Sequence, residues 1–344
     1  MSSRVLPHFS DWRAAYLAPD GRAHVVSLDG KTDLTGPLLP DLTSFGMNAA
    51  NASVGPDGKT LAYAAPTLDV VDLTGQTSPY SPQVQGAFND IMWSPDQSKL
   101  YSYSGGGQYS YLTLSTGQMT NVAPGQGIVG EVGWIDNTHL AAVSYQGVSY
   151  ATDAGGDSLP TSAKLDTIDI TTNQARTITT IQGGGPTTFQ FVISPDGSRA
   201  LYYDARFRDA AFTPQVAVID LATGAVTSLP TIAQATGADF SRIAWRPGSN
   251  TIAVSSTTAT TGDIKTWLLD VAADTATAIA PTGFPVGWAP NNGPLVLSSG
   301  WQSEIGQGLY TLTAVTCDSG AQCSGATLTE HAMTFIFLGF VRNP

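Results

Sequence analysis

The chain has 344 residues, a net charge of −12 and only 12% charged residues, against 42% hydrophobic ones. It holds no cluster of Lys or Arg long enough to form a basic patch, which argues against nucleic acid or an anionic membrane as partner. Its longest apolar run near the C-terminus, Met333 to Phe340, is far too short to span a bilayer.

In chain order, residues 1–11 read as an N-terminal tail or connector, and residues 12–344 as a single domain without a linker. From Trp12 to Pro40, the turns Pro19-Asp20-Gly21 and Leu28-Asp29-Gly30 separate three short strands. A recurring phrase then begins. It reads Gly55-Pro56-Asp57-Gly58 before Leu61-Ala62-Tyr63, Ser94-Pro95-Asp96 before Leu100-Tyr101-Ser102, and Ser194-Pro195-Asp196-Gly197 before Ala200-Leu201-Tyr202. Looser copies stand at Ile135-Asp136-Asn137, Arg246-Pro247-Gly248 and Ala289-Pro290-Asn291, and Trp93, Trp134, Trp245 and Trp288 immediately precede four of these phrases.

A second phrase runs in step with the first: an alternating strand that ends in a Thr-Gly-like turn. It appears as Asp72-Leu73-Thr74-Gly75, Leu114-Ser115-Thr116-Gly117, Asp169-Ile170-Thr171-Thr172-Asn173, Asp220-Leu221-Ala222-Thr223-Gly224 and Asp270-Val271-Ala272-Ala273-Asp274. Gly or Asn supplies the positive φ of a tight hairpin, and Asp or Thr bonds the turn backbone. Each repeat is therefore a four-stranded meander, with a fourth strand such as Ala225-Val226-Thr227-Ser228-Leu229 after the second turn. Four strands per repeat at this period describe a propeller blade, so the expected fold is an all-β propeller.

The turn prolines or their equivalents at 56, 95, 136, 195, 247 and 290 mark six blades, with insertions between 136 and 247. The stretch from Tyr145 to Ser162 reads as one long loop. A seventh blade is split, because Trp12 to Pro40 lacks a good first strand. The C-terminal Leu338-Gly339-Phe340-Val341-Arg342-Asn343 supplies it, since it resembles Val132-Gly133-Trp134-Ile135-Asp136-Asn137 and Val286-Gly287-Trp288-Ala289-Pro290-Asn291. The ring would close by pairing the two ends of the chain, which removes open sheet edges. Seven blades is the count, with six or eight as its range.

Cys317 and Cys323 are the only two cysteines, separated by a Ser-Gly turn that would bring the thiols together. As a disulfide they close a small loop and contribute roughly 2 kcal/mol; the alternatives are two free thiols or half of a metal site. Metal is disfavoured, because four ligands are needed and His8, His24, His139 and His331 lie on separate strands or loops. A surface carried by Thr, Ser, Gly, Gln and Asn is common in secreted β-proteins. Together with the paired cysteines it favours an extracytoplasmic protein given without its export segment over a cytoplasmic one.

The Ser-Pro-Asp-Gly, Leu-Ala-Tyr and Asp-Leu-x-Thr-Gly phrases resemble the TolB-like propeller repeat over most of the chain, from about Trp12 to Pro344. That repeat is found in periplasmic TolB, in the propellers of prolyl oligopeptidase-type peptidases and in many bacterial extracytoplasmic proteins. Its motifs specify blades and carry no activity. The Gly-His and Trp-Asp pairs of WD repeats and the Asp box of sialidases are absent.

No Gly-x-Ser-x-Gly elbow, phosphate loop or acidic calcium loop is present, and no cofactor is implied. First strands all run one way, so their starts and the loops between strands two and three share the face where propellers bind ligands. Counting three residues back from each tryptophan position gives Asn51, Asp90, Glu131, Gln190, Arg242, Pro285 and Phe337. These form either a ligand ring or the lining of a water-filled channel. Two loops on that face carry further candidates: Asp204, Arg206, Arg208 and Asp209 in blade five, and Trp301 and Glu304 in blade seven. Arg pairs clamp carboxylate or phosphate and Trp stacks on sugar or peptide, whereas the plainer role of these charges is an internal ion-pair cluster. Two function classes remain: a non-catalytic domain that binds a protein, peptide or glycan, or a propeller enzyme of lactonase, lyase or glycosidase type with its site in the funnel. Four scattered histidines and few first-strand acids favour binding.

Overall fold

The computed structural model describes residues 11–39, 52–64, 68–73, 89–103, 109–122, 128–149, 159–182, 190–204, 214–257, 263–299, 309–318, 322–333 and 337–342. These form seven antiparallel sheets, the blades of a β-propeller. The first blade holds β1 (Trp12–Leu17), β2 (Arg22–Ser27) and β3 (Asp33–Leu38), and the second β4 (Ala52–Val54), β5 (Thr60–Ala64) and β6 (Leu68–Asp72). The third runs through β7 (Asn89–Trp93), β8 (Lys99–Tyr103), β9 (Tyr109–Thr113) and β10 (Gln118–Val122). The fourth runs through β11 (Ile128–Trp134), β12 (His139–Ser149), β13 (Leu159–Asp169) and β14 (Gln174–Gln182). The fifth has β15 (Gln190–Ile193), β16 (Arg199–Asp204), β17 (Gln215–Asp220) and β18 (Val226–Ser228), and is succeeded by the one helix among the described residues, α1 (Pro230–Thr236). The sixth has β19 (Arg242–Trp245), β20 (Thr251–Thr257), β21 (Ile264–Asp270) and β22 (Thr275–Ile279). The seventh has β23 (Phe284–Trp288), β24 (Leu295–Ser299), β25 (Leu309–Cys317) and β26 (Cys323–Met333). The last strand, β27 (Phe337–Arg342), completes the first blade in the order β27-β1-β2-β3.

The chain divides into two compact units, residues 1–93 with 280–344, and residues 94–279. In the first unit, β27 pairs with β1 from Trp12 opposite Arg342 to Tyr16 opposite Phe337, the closure expected from the C-terminal match. One apolar cluster joins Ala15, Leu17 and Val25 of the first blade, with Leu338 and Val341 of β27, to Leu61, Tyr63 and Val71 of the second. Another joins Ala14, Tyr16 and Val26 to Val296, Tyr310, Leu312 and Leu328 of the seventh. Strand β1 is thus buried on both faces, which is why its Ala14-Ala15-Tyr16-Leu17 run shows no alternation. The second unit repeats this arrangement: Val143, Leu165, Phe191, Tyr202 and Ile219 join the fourth and fifth blades, and Leu201, Val218, Ile232, Trp245, Ile252 and Leu269 join the fifth, α1 and the sixth.

The recurring turn is built around its aspartate. Ser194 Oγ donates to Asp196 Oδ1 (2.6 Å) and accepts from Arg199 N–H (3.0 Å), while Asp196 also accepts from the Ser198 N–H (3.1 Å) and hydroxyl (2.8 Å). The turn at Ser94-Pro95-Asp96 repeats these bonds through Ser98 and Lys99. Burial works against ionisation of Asp196, but the donors from Ser194 and Ser198 prevail and hold its carboxyl below the usual range. Each such turn also reaches the next blade. Arg199 donates to Asn250 Oδ1 (2.6 Å) and Ser249 O (2.7 Å) with its guanidinium 5.2 Å from the Trp245 ring, and Asp96 N–H donates to Asn137 Oδ1 (2.9 Å).

Two sequence expectations change. The stretch from Tyr145 to Ser162 is not all loop, because β12 and β13 continue pairing through Tyr145 opposite Ala163 to Ser149 opposite Leu159. The insertion lengthens the β12–β13 ladder. The fourth strand of the fifth blade is also shorter than Ala225 to Leu229: β18 stops at Ser228, and Pro230, which cannot donate to a ladder, opens α1.

Two variants test this architecture. A chain ending at Thr334 lacks β27 and should lose its cooperative thermal transition or melt far lower, because β1 then has an open edge and an uncovered face; an unchanged Tm would refute closure by β27. At Gly58 the backbone has φ +66°, and an added Cβ would stand 2.6 Å from the Trp12 ring. Gly58→Ala should therefore destabilise the fold by about 1–3 kcal/mol in urea unfolding.

Candidate functional site

Within a blade, the first strand starts and the second and third strands join at the same end, the loop end. In the second unit, a cleft of about 420 Å³ runs along the fifth blade from Val226, beside the β17–β18 turn, to Pro214 and Gln215 at the loop end. Beside it β18 pairs only with Ala217, Val218 and Ile219, while the fourth blade's β14 reaches Gln182 opposite Ser162. Where β18 stops, Leu229 N–H still bonds Val216 O (2.8 Å), and Gln215 at the start of β17 is exposed. Tyr202 and Ala217 line the cleft with Pro214, Gln215 and Val216, together with Thr180 and Ile181 of β14 and Val226, Ser228, Pro230 and Ala233. Among the described residues, none that lines it is acidic or basic. Val226 at its rim is 48% exposed, one of two large hydrophobic residues so exposed among those described.

Helix α1 forms one wall. Its N-cap, Leu229, provides no side-chain cap, and the first helical N–H groups are instead met from the sixth blade. Asp274, held at φ 52° in the β21–β22 turn, accepts from Thr231 N–H (2.9 Å) and Ile232 N–H (3.0 Å). Burial opposes ionisation of Asp274, but these two donors outweigh it and keep its carboxyl below the usual range. Ile232, Ala233 and Thr236 are buried beneath the helix, and Gly237 ends it in the left-handed conformation.

Past α1, at the loop end of the sixth blade, burial pushes the Asp239 carboxyl up, and among the described residues no charged neighbour offsets this. A carboxyl pushed up by burial marks a candidate functional position. The first unit holds a second titratable group. His24 is 17% exposed, with its ring nitrogens 3.3 Å from Asp20 Oδ2 and 3.3 Å from Asp33 Oδ1. Tyr16 donates to Asp33 Oδ2 at 2.7 Å, and burial, ahead of this bond, raises its hydroxyl well above the usual range. Both imidazole nitrogens face carboxylates, so the group is suited to joining strands rather than to activating a substrate. Hairpin register carries the signal for it, since a turn at Pro19-Asp20-Gly21 sets Tyr16 opposite His24.

The residues singled out from sequence distribute as follows. Cys317 and Cys323 form a disulfide at the β25–β26 hairpin tip. Asp204 is not a loop charge: it pairs with Gln215 at the end of β16 and is 1% exposed, because the strand continues two residues past the Leu201-Tyr202 run. Gln190 and Arg242 open β15 and β19 and are exposed, while Asp90 lies on β7 and Glu131 on β11. Arg206, Arg208, Asp209, Trp301, Glu304 and Asn51 lie outside the described residues. Among the described residues no group of three or more His, Cys, Asp or Glu side chains could hold a metal ion, and no helix is long and apolar enough to cross a membrane. The cleft and Asp239 were not legible in the sequence; Pro230, as a ladder breaker, was the available sign of the first.

No protein-family model matches the chain, and no curated protein matches it in sequence. Among solved structures it is similar to a chain of the mitotic checkpoint complex, at 16% identity over 97% of this chain and 92% of that one, with a TM-score of 0.58. It is similar to an oligogalacturonate lyase in complex with manganese at 13% identity, over 92% and 96% of the two chains, with a TM-score of 0.53. TolB from Acinetobacter baumannii aligns at 14% identity over 99% and 88%, with a TM-score of 0.48. At such identities the first two show a shared fold and nothing about activity.

Asp239 has a measurable signature. A carboxyl whose folded pKa is raised binds more protons folded than unfolded, so its presence lowers stability as pH rises through the window between the two values. Asp239→Asn should therefore gain Tm over the wild type above that window and match it below. Equal pH profiles for the two proteins would refute an uncompensated carboxyl.

Proposed function

We propose that the chain is a non-catalytic binding domain built on TolB-like repeats, which meets a protein, peptide or glycan partner on the loop ends of its blades outside the cytoplasm. The uncharged cleft of the fifth blade carries this reading. Ile181, Val216, Ala217 and Val226 offer apolar surface, and the hydroxyls of Thr180 and Ser228 and the amide of Gln215 offer neutral hydrogen bonds. That mixture suits the uncharged side chain of a peptide or the face of a sugar. The Cys317–Cys323 disulfide supports an oxidising compartment.

In sequence, Arg206, Arg208 and Asp209 lie between Asp204, the last residue of β16, and Pro214. We assign them to the binding surface of the fifth blade, and Trp301 and Glu304 to that of the seventh. Asp90, Glu131, Gln190 and Arg242, near the starts of first strands, are its second candidate tier.

The test is an array screen of glycans and peptides, followed by titration of each hit against variants. Ser228 is exposed and lines the cleft, so Ser228→Trp should fill it without unfolding the chain and abolish binding. Arg206→Ala or Trp301→Ala should weaken binding by about 1–3 kcal/mol with little change in Tm. Unchanged affinity in all three, with loss in Glu131→Gln, would move the site to the first strands and overturn the assignment.

A further inference from the structure

We propose that Asp274 is a proton-sensitive latch on helix α1, and through it on the wall of the fifth-blade cleft. The consequence for binding rests on the cleft being a ligand site; the latch does not.

Three observations converge. The helix has only seven residues, no side-chain cap of its own and no acidic residue in its first turn, so its leading N–H groups depend on an acceptor from elsewhere. The acceptor belongs to the next blade: both Asp274 oxygens are used, one by Thr231 N–H and one by Ile232 N–H. The same first turn supplies Pro230 to the cleft wall, with Ala233 one turn further on.

Protonation is the natural release. A neutral carboxyl has only one good acceptor oxygen and no charge to offer the positive end of the helix, so one of the two bonds is lost and the other weakens. No compensating charge intervenes. The α1 residues, Pro230 to Thr236, include none that titrates, and only backbone and hydroxyl donors from Thr231 and Ile232 favour the Asp274 charge. On its own turn, Asp270 is engaged by the N–H groups of Ala272 and Ala273. The sign comes from the depressed carboxyl: the clasp is complete above the ordinary carboxylate pKa and is lost as pH falls through the lower folded value.

Residue-resolved amide exchange on the whole chain tests the latch directly. Thr231 and Ile232 occupy helix positions whose amides have no intrahelical acceptor, so their protection reports Asp274. Ala233 N–H, bonded to Leu229 O at 3.0 Å, is the internal reference. In Asp274→Ala at neutral pH, protection of Thr231 and Ile232 should fall about tenfold, more than that of Ala233. After correction for intrinsic exchange, wild-type protection should fall toward the variant's on acidification, while the variant stays flat.

Asp274→Asn, which keeps one acceptor oxygen and cannot titrate, should show reduced and pH-independent protection, and it serves if the alanine variant fails to fold. Protection that survives in both variants, or wild-type protection that ignores pH, overturns the latch. A separate arm uses the neutral dye Nile red as a cleft probe, with Ser228→Trp as its control. Dye affinity should change about threefold or more between wild type and Asp274→Ala. Loss of amide protection with unchanged dye affinity would overturn the coupling and keep the latch, whereas binding unaffected by Ser228→Trp would refute the cleft as a site and leave the latch standing.

Discussion

Burial of the middle strands on both faces is the condition on which everything else in this chain depends. Strand β1 shows it most plainly: Ala15 and Leu17 pack toward the second blade, while Ala14 and Tyr16 pack toward the seventh. A sheet with two apolar faces cannot stand alone in water, so each blade requires a neighbour on either side. The first blade meets this requirement with a strand drawn from the other end of the chain. Chain closure through β27 is therefore a consequence of two-sided burial, and Val341 and Leu338 are core residues for the same reason that Leu17 is.

The turns convert that apolar requirement into spacing. Asp196 and Asp96 each gather several donors within six residues, which sets the distance from first to second strand without using any core volume. The basic residue next in the turn then reaches the adjacent blade, as Arg199 does to Asn250 and Lys99 to Asn137 O. These contacts are polar, partly exposed and individually modest. Their value is geometric, because they hold neighbouring blades in register at the turn end and leave the loop end free to vary.

Legibility in the sequence tracked the range of the interaction. The Ser-Pro-Asp-Gly turns, the disulfide between Cys317 and Cys323, and the likeness of Leu338 to Asn343 to other first strands could all be read, since each is a local pattern or a copy of one. The short β18 could not: Val226-Thr227-Ser228-Leu229 alternates as a strand should, and only Pro230 and a carboxylate 42 residues beyond Ile232 make a helix of Pro230 to Thr236. Tyr16, Asp20, His24 and Asp33 failed for a related reason. Each looks ordinary within its own strand or turn, and they become a group only when hairpin register brings the strands together. Asp204 misled in the opposite direction, because a charge beside Arg206 and Arg208 reads as surface until the strand is seen to carry it inside.

Outer strands are where such a fold has freedom to differentiate. A middle strand that shortens would uncover two cores, whereas a fourth strand faces solvent along most of its length, as the exposed residues of β14 show. Shortening β18 therefore removes little buried area, and it exchanges a few ladder bonds for helix α1 as one wall of the cleft. The exchange carries a structural demand, since the chain that leaves the ladder must satisfy its own backbone elsewhere. A seven-residue helix does this within itself only in part, and Asp274 supplies the remainder from the adjacent blade. The cleft wall and its clasp thus have one origin: the fourth strand that stops early gives way to both the helix and the unsatisfied N–H groups at its start.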